Sequence, residues 1–297
     1  MGNSVINHYT VQYADMVRIT AQQMETRMRE YVEVKSLKAD EFAYESLSGA
    51  EMRAADSRYQ KVSFDDITHS RRKIPRRRYV LTLPIDGYDK LGMIIQPDSN
   101  YVKAAVMAVQ RQFDRIAVNS LFADVQTGKD FGTTVTFAND GGVQIDATST
   151  GLTYAKMLAT RKQFTDYEVG INKKERLALG ISGDEIEDLL SDTNIISGDY
   201  TRQYKVDEGE VQYAVGFNIV KFGGSVPRPI LAVDGSSQRS CFATTDSGCC
   251  VAINKDMDVK IQERVDLYDT WQVQTVFIAG AVRTEGAHVR EVLTTAS

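Results

Sequence analysis

The sequence predicts an α+β fold, and three observations predict it. One amphipathic pattern near residues 100–125 is far longer than an ordinary helix. The final third is dense in β-branched and aromatic runs. Helices and strands come in blocks rather than in strict strand–helix alternation.

In chain order, a polar opening (Gly2–Thr10) leads into Val11–Arg29. There Val11, Ala14, Val17, Ala21, Met24 and Met28 recur at helical spacing and predict a helix with a thin apolar stripe. Tyr31 to Lys35 then alternates as a short strand. The segment Leu47–Ile85 predicts a long hairpin, with Tyr59–Phe64 and Tyr79–Ile85 as strand-like stretches joined by polar residues. Pro75 and Pro84 restrict its ends to edge or unpaired positions. Between the stretches lies Arg71-Arg-Lys-Ile-Pro-Arg-Arg-Arg78, six cations in eight residues. A run so charged faces water or an acidic surface, because an isolated charge is costly to bury.

Pro97-Asp98-Ser99 supplies a cap signal for the long helix. Its apolar face is Val102, Ala105, Val106, Val109, Phe113, Ile116, Ala117, Ser120 and Leu121. Lys103, Gln110, Arg111 and Asp114 are expected on the other side, with Gly128 as a stop. Such a strut is on the order of 40 Å long. Beyond it the sequence predicts a strand at Thr133–Phe137, a turn at Asn139–Gly142 and a helix over Thr153–Phe164, with Leu152, Ala155, Leu158, Ala159 and Lys162 at helical spacing. A buried strand at Arg176–Ile181 and a capping box at Ser182–Glu185, opening a short acidic helix through Asp192, follow. Further strands are expected at Glu210–Val215, Phe217–Phe222, Ile230–Val233, Cys241–Thr244, Val251–Ile253, Val259–Glu263 and Thr270–Arg283.

Composition bounds the function. Of 297 residues, 42% are hydrophobic and 25% charged, enough for a real core. Asp and Glu outnumber Lys and Arg 40 to 35, a net charge of -5, opposite in sign to a general duplex-DNA binder. Cys241, Cys249 and Cys250 have no metal-ligand spacing, and the two adjacent thiols do not suit a disulfide. No signal peptide and no apolar run of membrane-spanning length is visible, so a soluble protein made in a cytoplasm is expected.

The search for chemistry is negative. His8, His69 and His288 are scattered, and no metalloprotease, nucleophile-elbow, Walker or dinucleotide string occurs. Thr127-Gly-Lys129 resembles the tail of a phosphate loop, but Ala123 occupies the leading glycine's place. The acids Asp184–Asp188 read as a solvated helix face near a positive dipole end. Glu263, Asp266 and Asp269 read as loop residues, His69 as a turn residue, and Cys249-Cys250 as small buried thiols. No enzyme activity, cofactor or metal is expected. For Arg71, Arg72, Lys73, Arg76, Arg77 and Arg78 three readings compete: a solvated edge kept apart by charge, docking onto a neighbouring copy of the chain, which is preferred, and nucleic-acid binding. The last lacks a stacking platform beyond Tyr79.

Five groups of residues in this order carry a resemblance: Tyr9-Thr-Val-Gln-Tyr-Ala-Asp15; Lys38-Ala-Asp-Glu-Phe-Ala-Tyr-Glu45; His69-Ser-Arg-Arg-Lys-Ile74; Leu83-Pro-Ile-Asp86 with Asp89-Lys-Leu-Gly-Met93; and Asp269-Thr-Trp-Gln-Val-Gln274 with Gly280-Ala-Val-Arg-Thr-Glu-Gly286. Together they resemble the major capsid proteins of tailed bacteriophages, which share the Hong Kong 97 fold, and more narrowly a short-tailed-phage capsid family. The resemblance implies an N-terminal arm at 1–45, an extended β-hairpin loop at 46–85, and a peripheral domain at 86–170 whose spine helix spans about 99–125. It implies an axial domain at 171–251 and a β-rich return to the peripheral domain at 252–297. It further implies self-assembly into hexamers and pentamers of an icosahedral head around double-stranded DNA, without sequence-specific binding. A separate scaffolding protein, a portal and a decoration protein are the other implied partners, in a virion assembled in the bacterial host cytoplasm, with no membrane. The basic run, Arg71 to Arg78, would then reach across subunit boundaries.

Overall fold

The computed structural model describes residues 23–36, 42–50, 52, 64, 66–85, 98–146, 150–172, 175–192, 205–207, 210–224, 226, 228–267 and 270–295. Its strands are β1 Glu33–Ser36, β2 Phe42–Leu47, β3 His69–Ile74, β4 Arg77–Ile85, β5 Val125–Thr127, β6 Thr133–Val135, β7 Val143–Ile145, β8 Leu177–Ile181, β9 Lys205–Asp207, β10 Glu210–Ala214, β11 Phe217–Lys221, β12 Gln238–Thr245, β13 Cys249–Arg264, β14 Thr270–Arg283 and β15 Val289–Thr295. The helices are α1 Asp98–Phe122, α2 Tyr154–Asp166 and α3 Gly183–Ser191. This is the mixed α+β class that the block pattern predicts.

The chain divides into two compact units, one formed by 26–77, 112–254 and 278–297, the other by 1–25, 78–111 and 255–277. In the larger unit a seven-stranded sheet runs β7-β15-β12-β8-β11-β10-β9. Its core gathers Phe164, Leu177, Leu179, Ile181, Leu189, Phe217, Cys241 and Val292. Strand β8 is buried at every position, as a central strand covered on both faces must be. Gly180 lets the Phe242 ring lie against the strand, because a Cβ there would collide with it. A second sheet of this unit runs β2-β3-β5-β6. In the same unit β1 runs parallel to the start of β13, Glu33 opposite Cys250 and Ser36 opposite Ile253.

In the smaller unit the far halves of β13 and β14 continue, with β4 as the edge strand against β14. The edge position accommodates Pro84, which donates no hydrogen bond. Tyr79 and Phe277 pack there with ring centroids 6.3 Å apart.

Several expectations are corrected. Residues 11–22 of the first predicted helix lie outside the described residues, and Gln23–Met28 is not helical; only a 3-10 turn at Arg29–Tyr31 follows. The reason is tertiary. Asp114 of α1 is buried, not solvent-facing, and its carboxylate accepts the backbone N–H of Arg27 at 2.9 Å and of Met28 at 3.2 Å. Met28 itself is fully buried, so the segment from Arg27 onward lies on its own body rather than waiting for a neighbour.

Strand β3 pairs antiparallel with β2, Glu45 opposite Arg71, and the expected strand Tyr79–Ile85 falls within β4. Residues 59–63 lie outside the described residues and Phe64 is in no strand. His69 opens β3 rather than a turn.

Helix α2 forms where expected, and the residues that mark its spacing are not the ones it buries. Lys156, Met157, Thr160 and Phe164 are buried, while Ala155, Leu158, Ala159 and Lys162 are exposed. Two large side chains outweigh three smaller ones, and the Lys156 ammonium is satisfied by the carbonyls of Thr150 at 2.7 Å, Gly151 at 2.9 Å and Leu293 at 3.2 Å.

Ile230–Val233 reduces to one bridge between Val233 and Arg239. The strands expected at Val251–Ile253 and Val259–Glu263 are one continuous β13, so Glu263 is a strand residue, not a loop residue. Asp269 lies outside the described residues.

Candidate assembly surface

Strand β3 lies between β2 and β5, so successive side chains of the basic run point to opposite faces. Arg72 and Ile74 are buried, whereas Arg71 is exposed and Lys73 half-buried. Arg72 therefore departs from the rule that this run faces water or another molecule. Its guanidinium forks onto Asp140, Nη1 to Oδ2 at 2.8 Å and Nη2 to Oδ1 at 2.7 Å, the bidentate geometry that makes such pairs strong. Arg283 of β14 donates from Nε to the same carboxylate at 2.8 Å. Its Nη1 donates to the carbonyls of Leu121 at 2.7 Å and Ala123 at 3.0 Å, at the negative end of α1. One carboxylate, a helix terminus and the Phe137 ring, 5.2 Å below Arg283, thus hold two buried cations. Burial raises the Asp140 carboxyl, but the hydrogen bonds from Arg72 and Arg283 outweigh it and hold the group below the usual carboxylate value.

The other cations differ. Arg71 meets Glu45 at 2.6 Å on an exposed face, a contact worth little by itself. Lys73 lies 5.6 Å over the Phe131 ring. Arg76 and Arg77 are exposed at the end of this unit's hairpin, and Arg78 is exposed at the start of the smaller unit's edge strand. Among the described residues Arg77 and Arg78 have no ion pair. The six predicted residues therefore split into a tethered set, Arg71, Arg72 and Lys73, and an outward set, Arg76, Arg77 and Arg78.

The hairpin's exit is fixed by backbone packing. Gly280 of β14 lies so close to the Pro75 carbonyl that a Cβ there would overlap it. Ile74 packs into a small core with Val125, Cys250, Ala252 and Val282.

The acidic helix α3 is not wholly solvated. Glu185 is buried: it accepts the Ser182 N–H at 2.9 Å, the Thr294 hydroxyl at 2.8 Å and Arg239 Nη1 at 2.8 Å. Burial raises this carboxyl too, and the donors from Ser182, Thr294 and Arg239 bring it below its usual value. The predicted capping box is present, with Glu185 at the third position of the helix.

The three cysteines are free and buried. Burial pushes the Cys249 thiol up to about 12 and the Cys250 thiol up to about 11, and raises Cys241 as well, so none is a thiolate near neutral pH. Among the described residues no group of three His, Cys, Asp or Glu side chains is placed to hold a metal, and no helix is long and apolar enough to cross a membrane. Sequence reasoning missed Asp140, taken only as a turn residue. The buried Arg72 and Arg283 that need its charge come from strands distant in sequence, and no local pattern signals them.

A family model described as phage capsid protein matches residues 5–295. No curated protein matches the chain in sequence. Solved structures do match in fold. The capsid of the cyanophage P-SCSP1u aligns with a TM-score of 0.73 at 16% identity, over 100% of this chain and 96% of that one. The head of Helicobacter pylori bacteriophage KHP40 gives 0.72 at 10% identity, over 99% and 98%. Mycobacterium phage Che8 gives 0.69 at 13% identity, over 98% and 99%.

Proposed function

This chain belongs to the phage capsid protein family, and from that premise we propose how its parts build a head. The chain forms hexamers and pentamers that close into an icosahedral shell around double-stranded DNA. The observation that carries this reading is the family match over residues 5–295, joined to a fold shared end to end with the capsid of the cyanophage P-SCSP1u. In the proposed division, 1–45 is the arm, 46–85 the extended loop, 86–170 with 252–297 the peripheral domain, and 171–251 the axial domain. A separate scaffolding protein and a portal complete the particle, which assembles in the host cytoplasm. The net charge of -5 supports a shell that encloses DNA without gripping it, since strong attraction would oppose release.

Arg76, Arg77 and Arg78 are the contacts proposed to cross the subunit boundary, with Arg71, Arg72 and Lys73 holding the hairpin that presents them. Their exposure supports this, as does the absence of an in-chain ion pair for Arg77 and Arg78 among the described residues. The test is charge reversal, Arg76→Glu with Arg77→Glu and Arg78→Glu, followed by sedimentation of the full chain. Fast-sedimenting particles are expected to give way to free subunits with an unchanged melting temperature. Particles that form as before would refute the assignment. A gel shift of the free subunit with duplex DNA at two salt concentrations separates the nucleic-acid reading, which requires salt-sensitive binding.

A further inference from the structure

Among the described residues, the far half of β13 has one edge with no strand beside it. Beside it, β1 accompanies β13 only from Cys250 to Ile253, and among the described residues no other strand pairs with that side. The segment Lys255-Asp-Met-Asp-Val-Lys-Ile-Gln-Glu-Arg264 belongs to one 16-residue strand and contains neither Pro nor Gly. Met257 and Ile261 are each 44% exposed. A long edge with exposed apolar side chains is a template for another strand.

We propose that this edge pairs with the same edge of a second copy, antiparallel, about a two-fold axis at Val259. The sequence itself selects that register. With Val259 opposite Val259 of the second copy, Met257 meets Ile261, Lys255 meets Glu263, Asp258 meets Lys260 and Asp256 meets Gln262. One face then carries an apolar centre flanked by ion pairs, and the other carries two Asp–Lys pairs. Moving the axis by one residue sets Asp258 against Asp258 or Lys260 against Lys260, and like charges directly opposite are destabilising. The ten residues carry three cations and three anions, so two copies approach without net repulsion. In the single chain Asp258 holds Lys255 and, at 3.9 Å, Lys260. Pairing exchanges these for cross-strand partners of opposite charge. Such a contact is isologous and closes on itself, so it ties two subunits and then stops. In a shell it would join neighbouring capsomers; to that extent it rests on the assembly reading.

The test uses single cysteines in the full chain and a short thiol-to-thiol bis-maleimide, since the native thiols are buried. Val259→Cys is expected to give a covalent dimer, because the residue faces itself across the axis. Lys255→Cys is expected to give none, because its two copies lie roughly 26 Å apart at the rise of an extended strand. Adding Asp258→Lys to Val259→Cys is expected to abolish the dimer, and adding Lys260→Asp as well to restore it. Absence of the dimer with Val259→Cys, or equal dimer with Lys255→Cys, would overturn the pairing. If Val259→Cys lowers the melting temperature, Lys255→Cys combined with Glu263→Cys reads the same register, and no cross-link there would overturn it equally. Electron microscopy of the same samples judges the shell separately: shells without this dimer sink the pairing alone, and the dimer without shells sinks the assembly reading alone.

Discussion

Asp140 neutralises two buried arginines, Arg72 and Arg283. Removing one partner of a buried pair leaves an uncompensated charge and costs about 3–5 kcal/mol. Asp140→Ala is therefore expected to lower the unfolding free energy by about that amount in urea titration, far more than Glu45→Ala, whose ion pair with Arg71 is exposed. The same carboxylates set the acid limb. Asp140 and Glu185 both titrate below their ordinary values when folded, so the unfolded chain binds their protons first. Their stabilisation is complete above the unfolded values, about pH 4, and is lost as pH falls through the folded ones. Melting temperature should thus hold from neutral pH to about pH 5 and drop below about pH 4, and Asp140→Asn should flatten that drop. At this scale sequence reading was weakest. Nothing near Asp114 or Glu185 marks either as buried, because the backbone N–H groups and guanidinium that neutralise them arrive from elsewhere in the chain.

At the scale of elements, the readable ones advertise their partners locally. Helix α1 shows its long apolar face, α3 its capping box, and β14 an unbroken run, Thr270–Arg283, matching the expected strand residue for residue. The missed ones do not. Strand β15 reads Val-Arg-Glu-Val-Leu-Thr-Thr, with a buried Arg290 and a half-buried Glu291 where strand propensity is poor. Its place is fixed by β12 and β7. Charged Lys255–Asp258 broke β13 into two in the sequence, yet the ladder with β14 carries the strand straight through. Gly280 offers an element-level test. The Pro75 carbonyl occupies the space of its Cβ, so Gly280→Ala must push the β3–β4 connection outward. An overpacking loss of about 1–3 kcal/mol is expected, read as a lower melting temperature, together with faster proteolysis near Pro75.

For the whole molecule, a chain of this family works only in numbers. In the larger unit Arg72 is held by Asp140, and Arg27 and Met28 by Asp114, all within one chain, so these contacts do not wait on neighbours. What the single chain turns outward is at its margins: the exposed arginines Arg76–Arg78 and the edge of β13 beyond Ile253, which no strand among the described residues covers. The fold class, the spine-like helix and the assembly role were legible because they rest on long patterns and a resemblance running from Tyr9 to Gly286. The inward turn of Arg72 was not, since a cationic run looks the same in sequence whether or not one member is folded back. The most direct measurement is cryo-electron microscopy of particles purified from bacteria producing the full chain. Closed shells built of hexamers and pentamers, with Arg76–Arg78 against an adjacent subunit, are the expected result. A monodisperse monomer, with those arginines and the β13 edge covered by its own residues, would contradict it.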